Sequence, residues 1–192
     1  MKTELRIEKI DVKIGGIAPI MFDRFVDHSK EARPADQKLY LAEKNIVVLP
    51  TENLLTFLAG ENPAGCAKVF EGKRNKEYIR IIHSHVFFGS VQAPFLDEKV
   101  RDIQFNGFKG RFYIYEAAPR TKQGNLSIKQ EIKPRPVLKM PWFLKFEIQL
   151  VNNNLIDSTK LKNWFAAGGI QIGIGTYRPR FGRFEVLEWK EK

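Results

Sequence analysis

Apolar and polar residues nearly alternate at the start of the chain, where Leu5, Ile7, Ile10, Val12 and Ile14 interleave with Arg6, Lys9, Asp11 and Lys13, with one slip at Glu8 and Lys9. A period of two is the repeat of a strand with one buried face, so this segment predicts a first strand with a bulge at the slip. The clearest strand lies far downstream. There Trp142, Leu144, Phe146, Ile148 and Leu150 alternate with Phe143, Lys145, Glu147 and Gln149, and the Trp142 face points inward. Ile46 to Leu49 predicts a short buried strand stopped by Pro50, and Phe184 to Trp189 predicts the last one. From Tyr78 the chain is rich in strand-forming residues: Ile79, Ile81, Val86 to Phe88, Ile103, Phe105, Phe108 and the Phe112 to Tyr115 run predict a hairpin or meander.

Helical spacing occurs elsewhere. Thr51 is placed to cap a helix with Leu54, Leu55 and Leu58 on one face; after the break from Gly60 to Gly65 a short helical piece follows through Ala67, Val69 and Phe70. Leu161, Trp164 and Phe165 stand at i, i+3 and i+4, predicting a helix capped by Asp157 or Ser158 and ended by Gly168-Gly169. Asp27 to Lys38, polar with a central Pro34, predicts an exposed loop. The span 117–136 mixes Pro119, Gly124, Pro134 and Pro136 with Arg120, Lys122, Lys129, Lys133 and Arg135, and is too long for a turn; it predicts a basic excursion carried on a strand pair. The order of elements is that of an α+β protein. We expect a decorated ferredoxin-like or RRM-type antiparallel sheet, with two helices on one face and a C-terminal glycine-rich loop. An antiparallel barrel with two helices is the competing arrangement. At 192 residues one domain over 1–192 is expected.

Charge adds the first statement about partners. Lys and Arg number 32 against 22 Asp and Glu, a formal net charge of +10. Such a surplus attracts phosphate backbones, so nucleic acid is the expected partner. Cys66 stands alone, which excludes an internal disulfide and a thiolate zinc site. The apolar runs are too short to span a bilayer and the N-terminus lacks a signal-peptide core, so a cytoplasmic protein without membrane contact is expected.

The densest chemistry lies between Gly168 and Phe184. Five glycines in fifteen residues allow left-handed backbone and close approach, while Arg178, Arg180 and Arg183 supply planar cations among Tyr177, Phe181 and Phe184. That composition suits a single strand, whose phosphates need neutralising and whose unpaired bases stack. The expected contacts are Gly173, Gly175, Tyr177, Arg178, Arg180, Phe181 and Arg183. Lys73, Arg74 and Lys76 would form a second rim, and Arg120, Lys122, Lys133 and Arg135 would act from the excursion. The spacing fits neither a dinucleotide fingerprint nor a Walker loop, so no cofactor is expected.

A helix followed by Gly173-Ile174-Gly175, a short basic segment and Gly182 resembles the glycine-rich loop of the RAMP superfamily, RRM-fold proteins that bind guide RNA in CRISPR effector complexes. The segment from Gly173 to Phe184 is also similar to the ends of phage and prophage proteins. The specific resemblance runs from Arg135-Pro136 and Trp142 to the C-terminus. It departs from the family pattern at Gly182, which is followed by Arg183-Phe184 in place of a second Gly-hydrophobic-Gly element. The resemblance implies sequence-independent binding of single-stranded RNA, or of single-stranded DNA, by a homo-oligomer or a subunit of a ribonucleoprotein. Alternatives are a phage or mobile-element assembly protein and a ribonuclease.

Asp23, Asp27 and His28 stand near where some RAMP proteins carry nuclease residues, and are the candidate catalytic groups for the ribonuclease alternative. His83 and His85 would share a face on a strand, but no third ligand is identifiable, so no metal site is expected. Nucleophile-elbow and zincin motifs are absent from the sequence.

Overall fold

The computed structural model describes residues 6–24, 34–117 and 133–192. Strand β1 (Ile7–Gly16) lies between the two longest remaining strands, β8 (Phe143–Val151) and β9 (Phe184–Glu191), both antiparallel to it. Its buried side chains are Ile10, Val12 and Ile14, in alternation, with Gly15 also buried, whereas Ile7 is exposed. Pairing with β8 is continuous from Ile7 to Gly15. The bulge is therefore not at Glu8; the register shifts against β9 between Lys13 and Ile14, where the extra residue is Leu187.

The remaining strands of the main sheet are β3 (Val48–Pro50), β4 (Val86–Phe88) and β5 (Gln92–Leu96). The order is β3-β5-β8-β1-β9, with β4 also pairing β8. This is a ferredoxin-like βαββαβ arrangement: a helical crossover joins β1 to β4, and a second joins β8 to β9.

The first crossover holds three helices where one and a fragment were expected: α1 (Glu52–Ala59), α2 (Cys66–Phe70) and α3 (Asn75–His85). Helix α3 replaces the expected strand through Ile79 and Ile81. Tyr78, Ile79 and Ile82 are its buried residues, a spacing that lies on one side of a helix. His83 and His85 therefore do not share a face. Thr51 sits at the N-cap position of α1 but its hydroxyl donates to the Ser90 carbonyl (3.0 Å), so it does not cap the helix.

The second crossover is α4 (Ser158–Gln171), capped by Asp157, whose carboxylate accepts from the Lys160 N–H at 2.7 Å. Gly168 and Gly169 do not end this helix. They are points of close approach: a β-carbon on Gly168 would stand 2.6 Å from Cys66 Sγ, and one on Gly169 would stand 2.5 Å from the Phe184 carbonyl oxygen. Absence of side chains lets α4 lie against α2 and β9. Below it Phe57, Phe165 and Phe184 pack with Trp142 and Phe95 in the main core.

A second, three-stranded sheet is inserted beside the first, in the order β2-β7-β6. Its strands are β2 (Ile20–Met21), β6 (Phe112–Ala117) and β7 (Lys133–Leu138), and the last two pair from Phe112↔Leu138 to Ala117↔Lys133. This is the strand pair expected to carry the basic excursion; Arg120 and Lys122 lie outside the described residues. Ile103, Phe105 and Phe108 form no strand: Ile103 is buried, accepting from Val47 N–H and donating to the Phe95 carbonyl (2.9 and 2.8 Å), the Phe105 N–H donates to the Asn45 carbonyl (2.9 Å), and Phe108 packs on the Phe105 ring. Pro134 and Pro136 lie in β7, and the Phe22 N–H donates to the Pro136 carbonyl at 3.0 Å, just past the last residue of β2.

Candidate nucleic-acid interface

The glycine-rich segment after α4 is a tightly closed loop with left-handed backbone at Gly173, Gly175, Tyr177 and Gly182. Ile174 N–H donates to the Gly182 carbonyl (2.9 Å), closing the loop upon itself. Gly182 N–H donates to the Pro19 carbonyl and Thr176 N–H to the Met21 carbonyl, at 2.8 and 3.1 Å, which stitches the loop to β2 and to the residue before it. The Arg183 carbonyl accepts from Ile17 and Ala18. With so much of its backbone satisfied internally, the loop offers side chains to a partner.

Those side chains divide by exposure. Arg180 and Arg183 are exposed. Arg178 is half buried; its Nη1 donates to the Gly173 carbonyl at 3.1 Å, and burial pulls its pKa below the ordinary arginine value. Phe181 is buried in a small core with Met21 and Val137, its ring 5.3 Å from Tyr115 and 6.4 Å from Tyr177. It supports the neighbouring tyrosines and offers no face of its own. The partly exposed rings beside it are Tyr177 and two that the sequence does not single out, Tyr113 and Tyr115 of β6. Arg180 lies over the Tyr115 ring at 5.7 Å, and Lys139 over Tyr113 at 5.9 Å. Alternate residues of one strand, three rings and two cations thus share one face at the foot of the β6–β7 pair.

The other basic candidates are placed differently. Arg135, opposite Tyr115 in the β6–β7 ladder, donates from Nε to Asp23 Oδ2 at 2.8 Å, and its buried Nη1 has no hydrogen-bond partner among the described residues. Asp23 is thereby an ion-pair partner rather than an isolated carboxylate. Asp27 and His28 lie outside the described residues, and nothing is described of the Lys133 side chain. Lys73, Arg74 and Lys76 are exposed at the start of α3, where Arg74 pairs with Glu77 at 3.1 Å. Among the described residues no group of three or more His, Cys, Asp or Glu converges as a metal site would require.

Behind the loop opens a cavity of about 500 Å³. Its walls come from the end of β2 (Met21, Phe22, Asp23), from Tyr40 and Leu49, from α1 (Asn53, Thr56) and from the glycine loop (Gly175 to Arg180). Burial raises the Tyr40 hydroxyl pKa despite the nearby Arg24. By contrast, the helix-free face of the main sheet is occupied by its own charges. Lys13 pairs with Glu188 (3.7 Å), Lys9 with Glu147 (4.0 Å) and Lys192 with Asp11 (2.8 Å), and Lys13 also covers the Phe143 ring at 5.4 Å.

The architecture has a solved counterpart. The chain shares its fold with one from the type III-B Cmr-beta assembly, a structure solved by cryo-electron microscopy with that assembly bound to cognate target RNA. The TM-score is 0.56 at 14% sequence identity, over 97% of this chain and 61% of that one, so this chain spans about three fifths of its counterpart. At that identity the likeness is one of fold. No protein-family model and no curated protein matches the chain.

Proposed function

We propose that the protein binds single-stranded RNA without sequence selection along the backbone, as a subunit of a CRISPR-like ribonucleoprotein related to the RAMP proteins. The observation that carries this reading is the juxtaposition of Arg180 with Tyr115 and Tyr177 at the rim of a loop whose own backbone is closed. Guanidinium groups there neutralise phosphates while the tyrosine faces accept bases, a combination indifferent to base identity because every base has a π-face. Arg183 extends the cationic rim. The fold shared with a chain of an RNA-bound assembly supports the choice of RNA over DNA.

The test is fluorescence anisotropy with labelled RNA and DNA 20-mers over a range of salt. Binding with a steep negative salt dependence, tighter for RNA, bears the proposal out. A folded protein that binds neither polymer at low salt overturns it and moves the weight to a protein-assembly role.

A further inference from the structure

We infer that the cavity behind the glycine loop takes one unpaired base of the bound strand and selects guanine through Asp23. The inference rests on the single-strand reading above and adds to it a position where sequence matters. The cavity's volume of about 500 Å³ falls within the range of small-ligand sites, and its walls are built like one. Met21, Leu49, Pro63 and Pro179 are apolar, while Asp23, Tyr40, Asn53 and Thr176 place polar groups among them.

The sign of those groups discriminates between bases. Arg135 occupies Oδ2 of Asp23 and orients the carboxylate; Oδ1 makes no hydrogen bond among the described residues. A carboxylate oxygen accepts, so it calls for a base edge with donors. Guanine presents two adjacent donors, N1–H and the N2 amino group. On its other edge it carries O6 and N7, the acceptor pair that arginine recognises, and Arg178 and Arg180 line the same cavity. Adenine and cytosine offer one amino group beside an acceptor nitrogen, which the carboxylate repels, and uracil offers one N–H flanked by carbonyls. Tyr177 lies on the wall between cavity and stacking face, so a base entering the cavity leaves its neighbours on the tyrosine side.

The probes are 12-nucleotide oligouridylates carrying a central guanosine, inosine, adenosine or uridine, together with free guanosine monophosphate. We expect the guanosine strand to bind about tenfold tighter than the uridine and adenosine strands, with inosine, which lacks the amino group, in between. Asp23→Asn keeps an oxygen for Arg135 but turns a donor toward the cavity, and is expected to erase the guanosine preference. Thr56→Trp, at an exposed helix position on the cavity wall, fills the space without touching the ion pair and is expected to do the same while leaving salt-dependent binding of oligouridylate intact. Strands that all bind equally, or a preference that survives both substitutions, would overturn the guanine pocket and leave the strand reading standing. Binding of free guanosine monophosphate with no strand binding would overturn the strand source and the strand reading alike. No binding of any probe would remove both.

Discussion

Gly182 approaches Ile174 so closely that a β-carbon on the glycine would stand 1.8 Å from the Ile174 carbonyl oxygen, and its φ is +74°. The close approach excludes a side chain, and the left-handed φ penalises one. Gly110 has a comparable φ of +64° with nothing within 4 Å of its would-be β-carbon. Gly110→Ala is therefore expected to cost only the left-handed backbone penalty, about 1–2 kcal/mol. Gly182→Ala also breaks the loop closure and is expected to exceed about 4 kcal/mol, the range of exceptional single substitutions. Urea unfolding of the two variants checks the contrast; equal losses would mean that the loop relaxes freely.

Arg183→Ala, outside the cavity, is expected to weaken RNA binding uniformly across sequences and to reduce the slope of log affinity against log salt by about one. Tyr115→Leu keeps the packing over Phe181 but removes a ring. It is expected to cost about 1–3 kcal/mol of binding with little change in salt slope, as loss of one stacked base would. Anisotropy titrations at four salt concentrations separate the two effects.

Asp97 is buried and accepts from Arg101 through both the guanidinium (2.7 and 2.9 Å) and the backbone N–H (2.9 Å). The Arg101 side-chain contacts come first among the causes that hold its carboxyl near pKa 2, below the ordinary 3.8. A depressed carboxylate stabilises the fold at pH above its unfolded value, and that contribution is lost as pH falls through the folded one. The Tm of the protein should exceed that of Asp97→Asn by a constant amount above about pH 5, the gap closing towards pH 2. A gap independent of pH would mean that the ion pair contributes nothing.

Cys66 is fully buried, its Sγ facing the Trp164 carbonyl at 3.6 Å, and burial pushes its thiol pKa up. It should resist an aromatic disulfide reagent at pH 8 in the folded protein and react fully in denaturant. The same assay reports whether each binding variant is folded.

Long, regular periods made much of this fold legible in the sequence. The alternation from Trp142 to Leu150 and the i, i+3, i+4 set of α4 depend only on neighbours in the chain, and both elements stand where they are expected. Ile79 and Ile81 mislead because two β-branched residues two apart imitate a strand, while the decisive set, Tyr78, Ile79 and Ile82, is helical. Gly168-Gly169 reads as a helix stop because its true reason, contact with Cys66 and Phe184, is tertiary. The glycine loop was visible as the place of interest, but its stacking partner was not. Tyr115 joins it only through the second sheet, and Asp23 meets Arg135 across 112 residues of sequence.

The two prolines of β7 have a consequence for the cavity. Val137 and Lys139 face β6, as the Lys139 N–H to Arg111 bond (2.8 Å) shows, so Pro134 and Pro136 turn their nitrogens toward β2. Neither nitrogen carries a hydrogen, so past Met21 the edge of β7 offers carbonyls with no donors between them. The chain cannot continue as a ladder there; it peels away after Phe22 and carries Asp23 into the cavity wall. A hydrogen bond that cannot form is thus what opens the room behind the loop. Replacing both prolines with residues that donate would invite the strand to zip onward and close it.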